Sequence, residues 1–498
     1  MVFSSYIFLF LFLPVALLCY YVSPRRGRQL VLTLISYLFY GWANPYFVLL
    51  LFFSCVINYY CALVIAGQLG APAGAETRMV EAEDAIGPAQ KGAFWFALFA
   101  DLSLLGFFKY FNFGIDNYNA LVKAAGLGQL QLDFFRVALP LGISFYTFKA
   151  LSYIIDVYMG KVRATRSFID FSCYLTMFPQ LIAGPIVRYQ EVEDQLKTRS
   201  HSAEKFARGI SFMCLGLAKK VLLADACGKV ADTCFGAGSV GTLDAWYGLF
   251  AYSFQIYFDF SAYSDMAIGL GLMFGFCIPK NFDSPYLAES FADFWRRWHI
   301  SLSTWLRDYL FSPLSYALMT DRLRSRMVRE KFRYNYPALA SSLIVFTICG
   351  IWHGAGWTFV AWGAIHGSIL MLEQLRSKKS RYWKLPKAAR VAATFLLVSF
   401  AWVFFRARDI SGALDYLKSL SGFGAGESTT GLIGGIIYQP YYLLSLMLCA
   451  LIIWEAPQTW DFTRALNWKK AAWCIGLLLV SIAVVTTKAH SPFIYAAF

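Results

Sequence analysis

Residues 291–309 read FADFWRRWHISLSTWLRDY, and this stretch is the most informative one for predicting the fold. Its large apolar side chains recur at alternating spacings of four and three residues, namely at Phe291, Trp295, Trp298, Leu302, Trp305 and Tyr309. This period places them on one stripe of a helix. Ser290 before the stretch and Asp293 within it match a capping pattern. The sequence therefore predicts one amphipathic helix over residues 291–309 that begins after Ser290.

The rest of this predicted helix is charged, with Asp293, Arg296, Arg297, Arg307 and Asp308 outside the stripe. A helix with so many charges does not cross a bilayer through lipid, because the charges would lie in hydrocarbon. We expect it at a membrane interface or beside a polar cavity inside a helix bundle. His299 lies next to the aromatic stripe. It either opens a polar pocket into the core or only forms a structural hydrogen bond, and the stretch alone leaves both open.

Composition places this helix in a membrane protein. Of 498 residues, 58% are hydrophobic and only 15% are charged, against roughly 25% charged in soluble domains. The sequence predicts an all-α, polytopic membrane protein forming one integral domain over residues 1–498. The net charge of +14 comes from basic residues in short loops between apolar segments, which indicates the positive-inside rule rather than nucleic-acid binding. The 11 cysteines form no CxxC motif, so neither a disulfide framework nor a zinc site is indicated.

Apolar segments follow one another along most of the chain. They lie at about 6–21, 29–40, 46–65, 93–108, 138–158, 338–352, 356–373, 391–405, 431–454 and 471–487. Broken or re-entrant helices are predicted near 168–187, 207–228 and 246–276, because prolines, lysines and aspartates interrupt them. The total is about 11 to 13 membrane segments. The basic loops 25–28, 161–166, 321–333 and 376–390 are all predicted to be cytoplasmic.

The motif GIWHGAGW, residues 350–357, separates two of these segments and carries His353. We predict a turn that lies within the protein, because both flanking segments are short for a full crossing. A histidine at membrane depth is a candidate functional residue, since imidazole exchanges a proton near neutral pH. The alternative is a histidine that donates to a carbonyl in a glycine-rich helix break. His366 is predicted to pack in the core and His201 to be solvated.

A second polar intrusion is YFDFSAYSDMAIGLGLMFGF, residues 257–276. Asp259 and Asp265 are costly in lipid, so each is predicted to face a cavity or a charged partner. An orienting role and a direct role in a site are both open. The chain has no GxSxG, HExxH or P-loop motif, which argues against a serine hydrolase, a zinc peptidase and a P-loop nucleotidase.

Several of these stretches together resemble the membrane-bound O-acyltransferase family, most closely its bacterial branch that O-acetylates alginate. The resemblance rests on PLGISFYTFKALSYIIDVYMG (140–160), LIAGPIVRY (181–189), the 257–276 segment, NFDSPYLAESFADFWRRWHISLSTWLRDYLF (281–311) and GIWHGAGWTFVAWGAIHG (350–367). It implies that His353 is the principal catalytic histidine and His299 the second active-site histidine. It also implies a bundle of about eleven transmembrane helices around a thinned, funnelled centre.

The same resemblance implies a function. The expected activity is O-acetyl transfer by a multi-pass protein of the bacterial inner membrane, with acetyl-CoA entering from the cytoplasm and the acetyl group leaving on the far side. No tightly bound cofactor or metal is expected. The expected partners are the lipid bilayer and periplasmic acetyltransferase or polysaccharide-modification proteins, with no nucleic acid. Further candidates for orienting the site or binding substrate are Asp259, Asp265, Arg296, Arg297 and Trp298.

The acceptor is left open by one departure from the family pattern. After YLF the chain reads SPLSYALMTDRLRSRM, residues 312–327, where alginate-acetylating members carry a Gly-Gly-Asn-Arg type of turn. An alginate-like exopolysaccharide is the first expectation, and cellulose, another exopolysaccharide and peptidoglycan are the alternatives. Two rival classes remain: a transporter of polymer or lipid-linked sugar, and a scaffold that recruits an extracytoplasmic transferase.

Overall fold

The computed structural model describes residues 2–42, 44–70, 79–80, 86–237, 240–320, 335–376, 380–423, 430–487 and 493–494. Every regular element in these ranges is a helix, which confirms the all-α prediction. The chain divides into two compact units, Met1–Ile210 with Met266–Pro279 and Ser211–Asp265 with Lys280–Phe498. The prediction of one integral domain stays a prediction.

The first unit contains the N-terminal helices. They are Ile7–Phe12, which continues into Leu13–Val22, then Arg28–Gly41, Tyr46–Ile65, Pro88–Ala124, Ile143–Tyr158, Phe168–Thr176, Phe178–Leu181, Tyr189–Lys197 and the first half of Ala203–Ala218. The five apolar segments predicted before residue 160 are all helical, and the segment near 168–187 is broken as predicted. Phenylalanines fill the core; the Phe178 ring, for example, lies 5.4 Å from the rings of Phe12 and Phe39.

The second unit contains the remaining helices. They are Lys219–Ala224, Asp225–Gly236, most of Thr242–Met273, Phe291–Arg297, Ile300–Leu306, Arg307–Phe311, Ser312–Leu318, Tyr336–His353, Trp357–Leu375, Lys387–Arg406, Ile410–Leu420, Thr430–Ile437, Pro440–Glu455, Thr459–Phe462 and Trp468–Thr487. The predicted break within 246–276 is wrong, because Thr242–Met273 is one uninterrupted helix. The predicted break near 207–228 is also wrong, because the helix continues from Ala203 to Gly236 through a π-helical turn at Lys219–Ala224.

Five helices in the described part of the chain are long and apolar enough to cross a membrane. They are Tyr46–Ile65, Pro88–Ala124, Tyr336–His353, Lys387–Arg406 and Trp468–Thr486, and Ile7–Val22 and Pro440–Glu455 are shorter apolar helices. The predicted total of about 11 to 13 segments and the cytoplasmic placement of the basic loops stay predictions. The loop at 321–333 and residues 377–379 lie outside the described residues.

The stretch 291–309 is not one helix, and that prediction is wrong. Phe291–Arg297 and Ile300–Leu306 are separate helices. Trp298 between them has an extended backbone, and His299 has φ of +42°. We call this interruption the 298–299 break. The predicted start is confirmed, because the Ser290 hydroxyl accepts a hydrogen bond from the Asp293 amide at 3.1 Å.

A short segment earlier in the chain explains the 298–299 break. The Asn281 carbonyl accepts from the Ile300 amide at 2.9 Å, and the Asp283 amide donates to the Arg297 carbonyl at 2.9 Å. Backbone groups that an unbroken helix would satisfy internally are thus satisfied by residues 281–283. The left-handed conformation at His299 is uncommon, but histidine is among the non-glycine residues that adopt it. The apolar stripe remains buried on both sides of the break.

Tyr336–His353 and Trp357–Leu375 form a helical pair that we call the histidine hairpin. Their connection is only residues 354–356, so the predicted turn over 350–357 is too long. His353 is the last helical residue rather than part of the turn. The hairpin thereby fixes the backbone of His353 within a regular helix.

Glycines allow the two hairpin helices to pack closely. A Cβ atom on Gly350 would lie 2.2 Å from the Phe359 carbonyl oxygen. A Cβ atom on Gly363 would lie 2.3 Å from the Phe346 carbonyl oxygen. Side chains at these positions would push the helices apart, which is the usual reason for glycine at the contact of two membrane helices.

Candidate active site

His299 is fully buried, and its hydrogen bonds determine its tautomer. Its Nδ1 lies 3.2 Å from Asn281 Oδ1. The same oxygen accepts from the Ser301 amide at 3.1 Å and from the Ser301 hydroxyl at 2.9 Å. Because a backbone amide only donates, the Asn281 atom is an acceptor, and His299 Nδ1 must carry the proton. The lone pair is therefore on Nε2, which is buried and has no hydrogen-bond partner in the described structure.

Aromatic rings form the walls around the His299 imidazole. The Phe260 ring meets it edge-on with centroids 4.6 Å apart, and the Phe282 ring lies at 6.4 Å. These walls offer no hydrogen bond to Nε2. A neutral imidazole nitrogen in such surroundings is a strong acceptor for any hydroxyl or thiol that enters.

His353 lies among aromatic side chains at the end of its hairpin helix. Its ring centroid is 4.8 Å from Trp352, 5.1 Å from Trp362 and 5.2 Å from Phe405. Only 4% of the residue is exposed. The structure confirms that this histidine lies within the protein rather than in free solvent.

Two buried N–H groups, on Trp362 and His366, were not predicted from the sequence. Trp295 Nε1 donates to His366 Nδ1 at 3.1 Å, so the His366 proton must be on Nε2. This Nε2 and the indole Nε1 of Trp362 are both buried and have no partner within the described residues. The Trp362 ring lies 5.1 Å from His353 and 4.3 Å from His366. His366 packs, as predicted, but it also supplies an unused N–H group.

Trp298 belongs to the aromatic core. Ring-to-ring contacts through this core connect the surroundings of His299 with those of His353. It is 1% exposed, and its ring lies 5.2 Å from Trp402. Trp402 in turn lies 5.8 Å from Trp362, the neighbour of His353. This burial indicates a packing role, and substrate binding by Trp298 stays a prediction.

Asp259 and Asp265 both form ion pairs with lysines of the π-helical turn. Asp259 lies 2.6 Å from Lys220 and Asp265 lies 2.7 Å from Lys219. Lys220 also lies 2.9 Å from Asp225. These pairs satisfy the expectation that each aspartate faces a charged partner, and they explain why Thr242–Met273 continues without a break. A direct role of the two aspartates in a site stays a prediction.

Arg296 and Arg297 both pair with Asp293, at 3.2 Å and 3.0 Å. The Arg296 side chain is 72% exposed. Exposed pairs hold their partners only weakly, so the Arg296 guanidinium group remains available to an anion. Arg297 is less exposed and also donates to the Asp283 carbonyl at 3.2 Å. Their predicted part in substrate binding stays a prediction.

Five described helices are long and apolar enough to span a membrane. His299 and His366 are buried, and each has a ring nitrogen without a hydrogen-bond partner among the described residues. These features indicate a helical membrane protein with a catalytic site. Comparison with known families agrees. The model of the membrane-bound O-acyltransferase (MBOAT) family matches residues 160–405, the range that contains both candidate histidines.

Curated relatives extend this likeness over the whole chain. The chain is 39% identical over 522 residues to the "Probable alginate O-acetylase AlgI" of Pseudomonas putida, with both chains fully covered. It is 42% identical to the protein of the same name from Azotobacter vinelandii, covering 85% of this chain and 79% of the relative. It is 36% identical to the "Peptidoglycan O-acetyltransferase" of Helicobacter pylori, covering 85% and 80%. The chain therefore belongs to the membrane-bound O-acyltransferase family and is a multi-pass membrane acyltransferase.

Proposed function

We propose that this chain moves acetyl groups from cytoplasmic acetyl-CoA across the bacterial inner membrane toward O-acetylation of an extracytoplasmic polysaccharide. An alginate-like exopolysaccharide is the favoured acceptor, supported by the end-to-end identity to a protein named as an alginate O-acetylase. Peptidoglycan is second, supported by the Helicobacter pylori relative. Cellulose is a further alternative. Periplasmic acetyltransferase or polysaccharide-modification proteins are the expected partners.

The observation that carries the chemical proposal is the cluster of buried, unused hydrogen-bonding groups in the second unit. A hydroxyl oxygen attacks the thioester carbonyl carbon while a base takes the hydroxyl proton. The carbon–sulfur bond then breaks, and the base returns the proton to the departing CoA sulfur. We assign His353 as this base. Aromatic walls that exclude water strengthen each electrostatic contact with the reacting group.

The tautomers of His366 and His299 suit these two residues to different supporting roles. The negative charge that develops on the acyl oxygen needs N–H donors. Trp362 next to His353 and His366 next to Trp362 each have an unused N–H group, at Nε1 and Nε2 respectively. His299 presents a lone pair instead. This tautomer suits a helper that accepts a hydrogen bond from the attacking hydroxyl better than one that polarises the acyl carbonyl.

The test uses the purified full chain in lipid nanodiscs with acetyl-CoA and a polysaccharide acceptor, with free CoA thiol as the readout. Thiol release by the wild type and its loss in His353→Ala supports the proposal. Lys418→Ala, an exposed residue of the second unit, is the control and should retain release. A transporter without bond chemistry predicts no thiol release from the wild type, which would overturn the proposal.

A scaffold is separated from an enzyme by acetylation in cells. If the chain only recruits another transferase, His353→Ala leaves the polysaccharide acetylated. An enzyme loses acetylation in the same cells. Immunoblotting of membranes shows that both variants are inserted at equal amounts.

A further inference from the structure

A cavity of about 570 Å³ lies in the first unit, beside the end of the N-terminal helix. Its wall includes Arg25, Arg28, Lys197, Arg199 and His201, and no carboxylate of the described residues lines it. This volume is within the range of small-molecule sites. The prediction that His201 is solvated is confirmed in part, because the residue is half-buried at the cavity wall and its Nε2 lies 3.0 Å from the hydroxyl of the buried Tyr20.

The arginines of this cavity are not neutralised by the protein. Arg25, Arg28 and Arg199 form no ion pair with a carboxylate in the ranges that the structure describes. Lys197 pairs with Glu193 at 2.8 Å, but the lysine side chain is 61% exposed and such a pair is weak. The cavity therefore concentrates positive charge, with the Lys197–Glu193 pair as its one ion pair among the described residues and with Asp170 interacting with Arg199 and Lys197 at longer range.

Arg199 is held in place and has a donor to spare. Its Nε donates to the Tyr20 hydroxyl at 2.8 Å, and its Nη1 donates to the Gln195 carbonyl at 3.2 Å. Its guanidinium group lies 4.4 Å from the centre of the Phe276 ring. Its Nη2 is buried and has no hydrogen-bond partner in the part of the chain that the structure describes. A buried N–H group without an acceptor is costly, which indicates that an external acceptor completes this site.

We propose that this cavity binds a phosphate group of an anionic ligand. Arginine forks match phosphate oxygens in geometry and charge, and the lining offers cations and hydroxyls with no acid to repel an anion. A phospholipid headgroup and a soluble phosphorylated cofactor share this chemistry. The site lies within one unit and does not depend on the proposed acetyl transfer. The positive-inside rule alone would place basic residues here, but it would not leave an arginine donor buried and unused.

Two binding measurements on the full chain test the proposal and separate the two sources. In phosphatidylcholine nanodiscs at low salt, calorimetry measures binding of coenzyme A and of inorganic pyrophosphate. In detergent, native mass spectrometry measures retention of phosphatidylglycerol against phosphatidylcholine. At least one of these probes should bind the wild type. Binding in the first experiment that the cavity variants weaken assigns a soluble phosphate ligand, because coenzyme A can also bind at the proposed acyltransferase site. Selective retention in the second experiment assigns a lipid headgroup.

Single arginine variants connect the binding to the cavity. Arg28→Gln and Arg199→Gln should each weaken binding about tenfold or more, because each removes a charge-assisted hydrogen bond. Arg25→Gln should weaken it too, because it removes another cation from the wall of the cavity. Arg26→Gln is the matched control, since Arg26 belongs to the same short helix Arg25–Gly27 but does not line the cavity.

The outcomes that overturn the proposal are distinct from failure of the acyltransferase assignment. If no probe binds the wild type, or if the three cavity variants bind like Arg26→Gln, the cavity is not a phosphate site. His353→Gln should bind the probe like the wild type, whether or not it still transfers acetyl groups. Probe binding to the cavity is therefore measured independently of acetyl transfer.

Discussion

Asn281 Oδ1 lies 3.2 Å from His299 Nδ1, and this contact spans 18 positions of sequence. The same short segment supplies backbone partners to the 298–299 break through the Asn281 carbonyl and the Asp283 amide. One segment thus holds the backbone of His299 in its unusual conformation and selects which ring nitrogen is free. Local structure and site chemistry are coupled through Asn281.

Loss of the Asn281 acceptor should reduce activity more than stability. In Asn281→Leu, His299 no longer has a fixed tautomer or ring orientation, so the rate of acetyl transfer should fall about tenfold or more. Asn281→Asp keeps an oxygen acceptor and should retain more of the rate. Initial rates of CoA thiol release in nanodiscs measure the difference. Equal rates for Asn281→Leu and the wild type would show that this contact does not orient a functional histidine.

The left-handed backbone at His299 makes a separate prediction about stability. Asparagine adopts this conformation readily, whereas a β-branched residue does not. His299→Val should therefore be less stable than His299→Asn by about 1–2 kcal/mol, although both lose the imidazole. Thermal unfolding midpoints in one detergent provide the comparison. Identical midpoints would contradict the φ of +42° at this position.

The sequence allowed the apolar stripe of 291–309 and its start after Ser290 to be predicted, because both depend on local spacing and capping. The 298–299 break could not be predicted, because residues 281–283 satisfy its backbone from outside the helix. The spacing of the apolar residues does not indicate the break, because it continues across residues 298–299. Similarly, the spare N–H of His366 depends on a hydrogen bond from Trp295, which lies on another helix.

The aspartates of 257–276 illustrate the same limit. Their cost in an apolar segment predicted a charged partner, and the structure contains one for each. The predicted helix break failed because the partner of Asp265 is Lys219, 46 positions earlier. The sequence shows that a charge needs neutralising, but it does not show which distant residue neutralises it.

The buried ion pair makes Lys220 important for stability. Lys220→Met leaves Asp259 and Asp225 without their cation, which should cost about 3–5 kcal/mol of folding free energy. Lys418→Met is the control, because its exposed pair with Asp415 contributes only about 0–1 kcal/mol. Denaturant or thermal unfolding of both variants measures the contrast. Similar small losses would show that the Lys220 cluster is not a buried structural pair.

His201 should make stability depend on pH. Burial, followed by the charges of Arg28, Arg199 and Lys205, lowers the pKa of His201 from its usual 6.5. The folded protein then binds fewer protons at this site than the unfolded chain does, so stability is lost as the pH falls below that value. The unfolding midpoint of the wild type should drop more than that of His201→Gln between about pH 7.5 and about pH 5.5. Parallel curves for the two proteins would contradict this.

His353 is proposed to exchange a proton during acetyl transfer. The most direct test of this role is the O-acetyl content of exported polysaccharide in cells that make only His353→Gln. Glutamine keeps a hydrogen-bonding side chain but cannot exchange a proton, so acetylation should fall by about 10²–10⁴-fold. Lys418→Gln, at an exposed position outside both sites, is the control and should acetylate normally, with membrane levels of both variants equal to the wild type. Near-normal acetylation by His353→Gln would contradict the account and would make His299 the better candidate for the base.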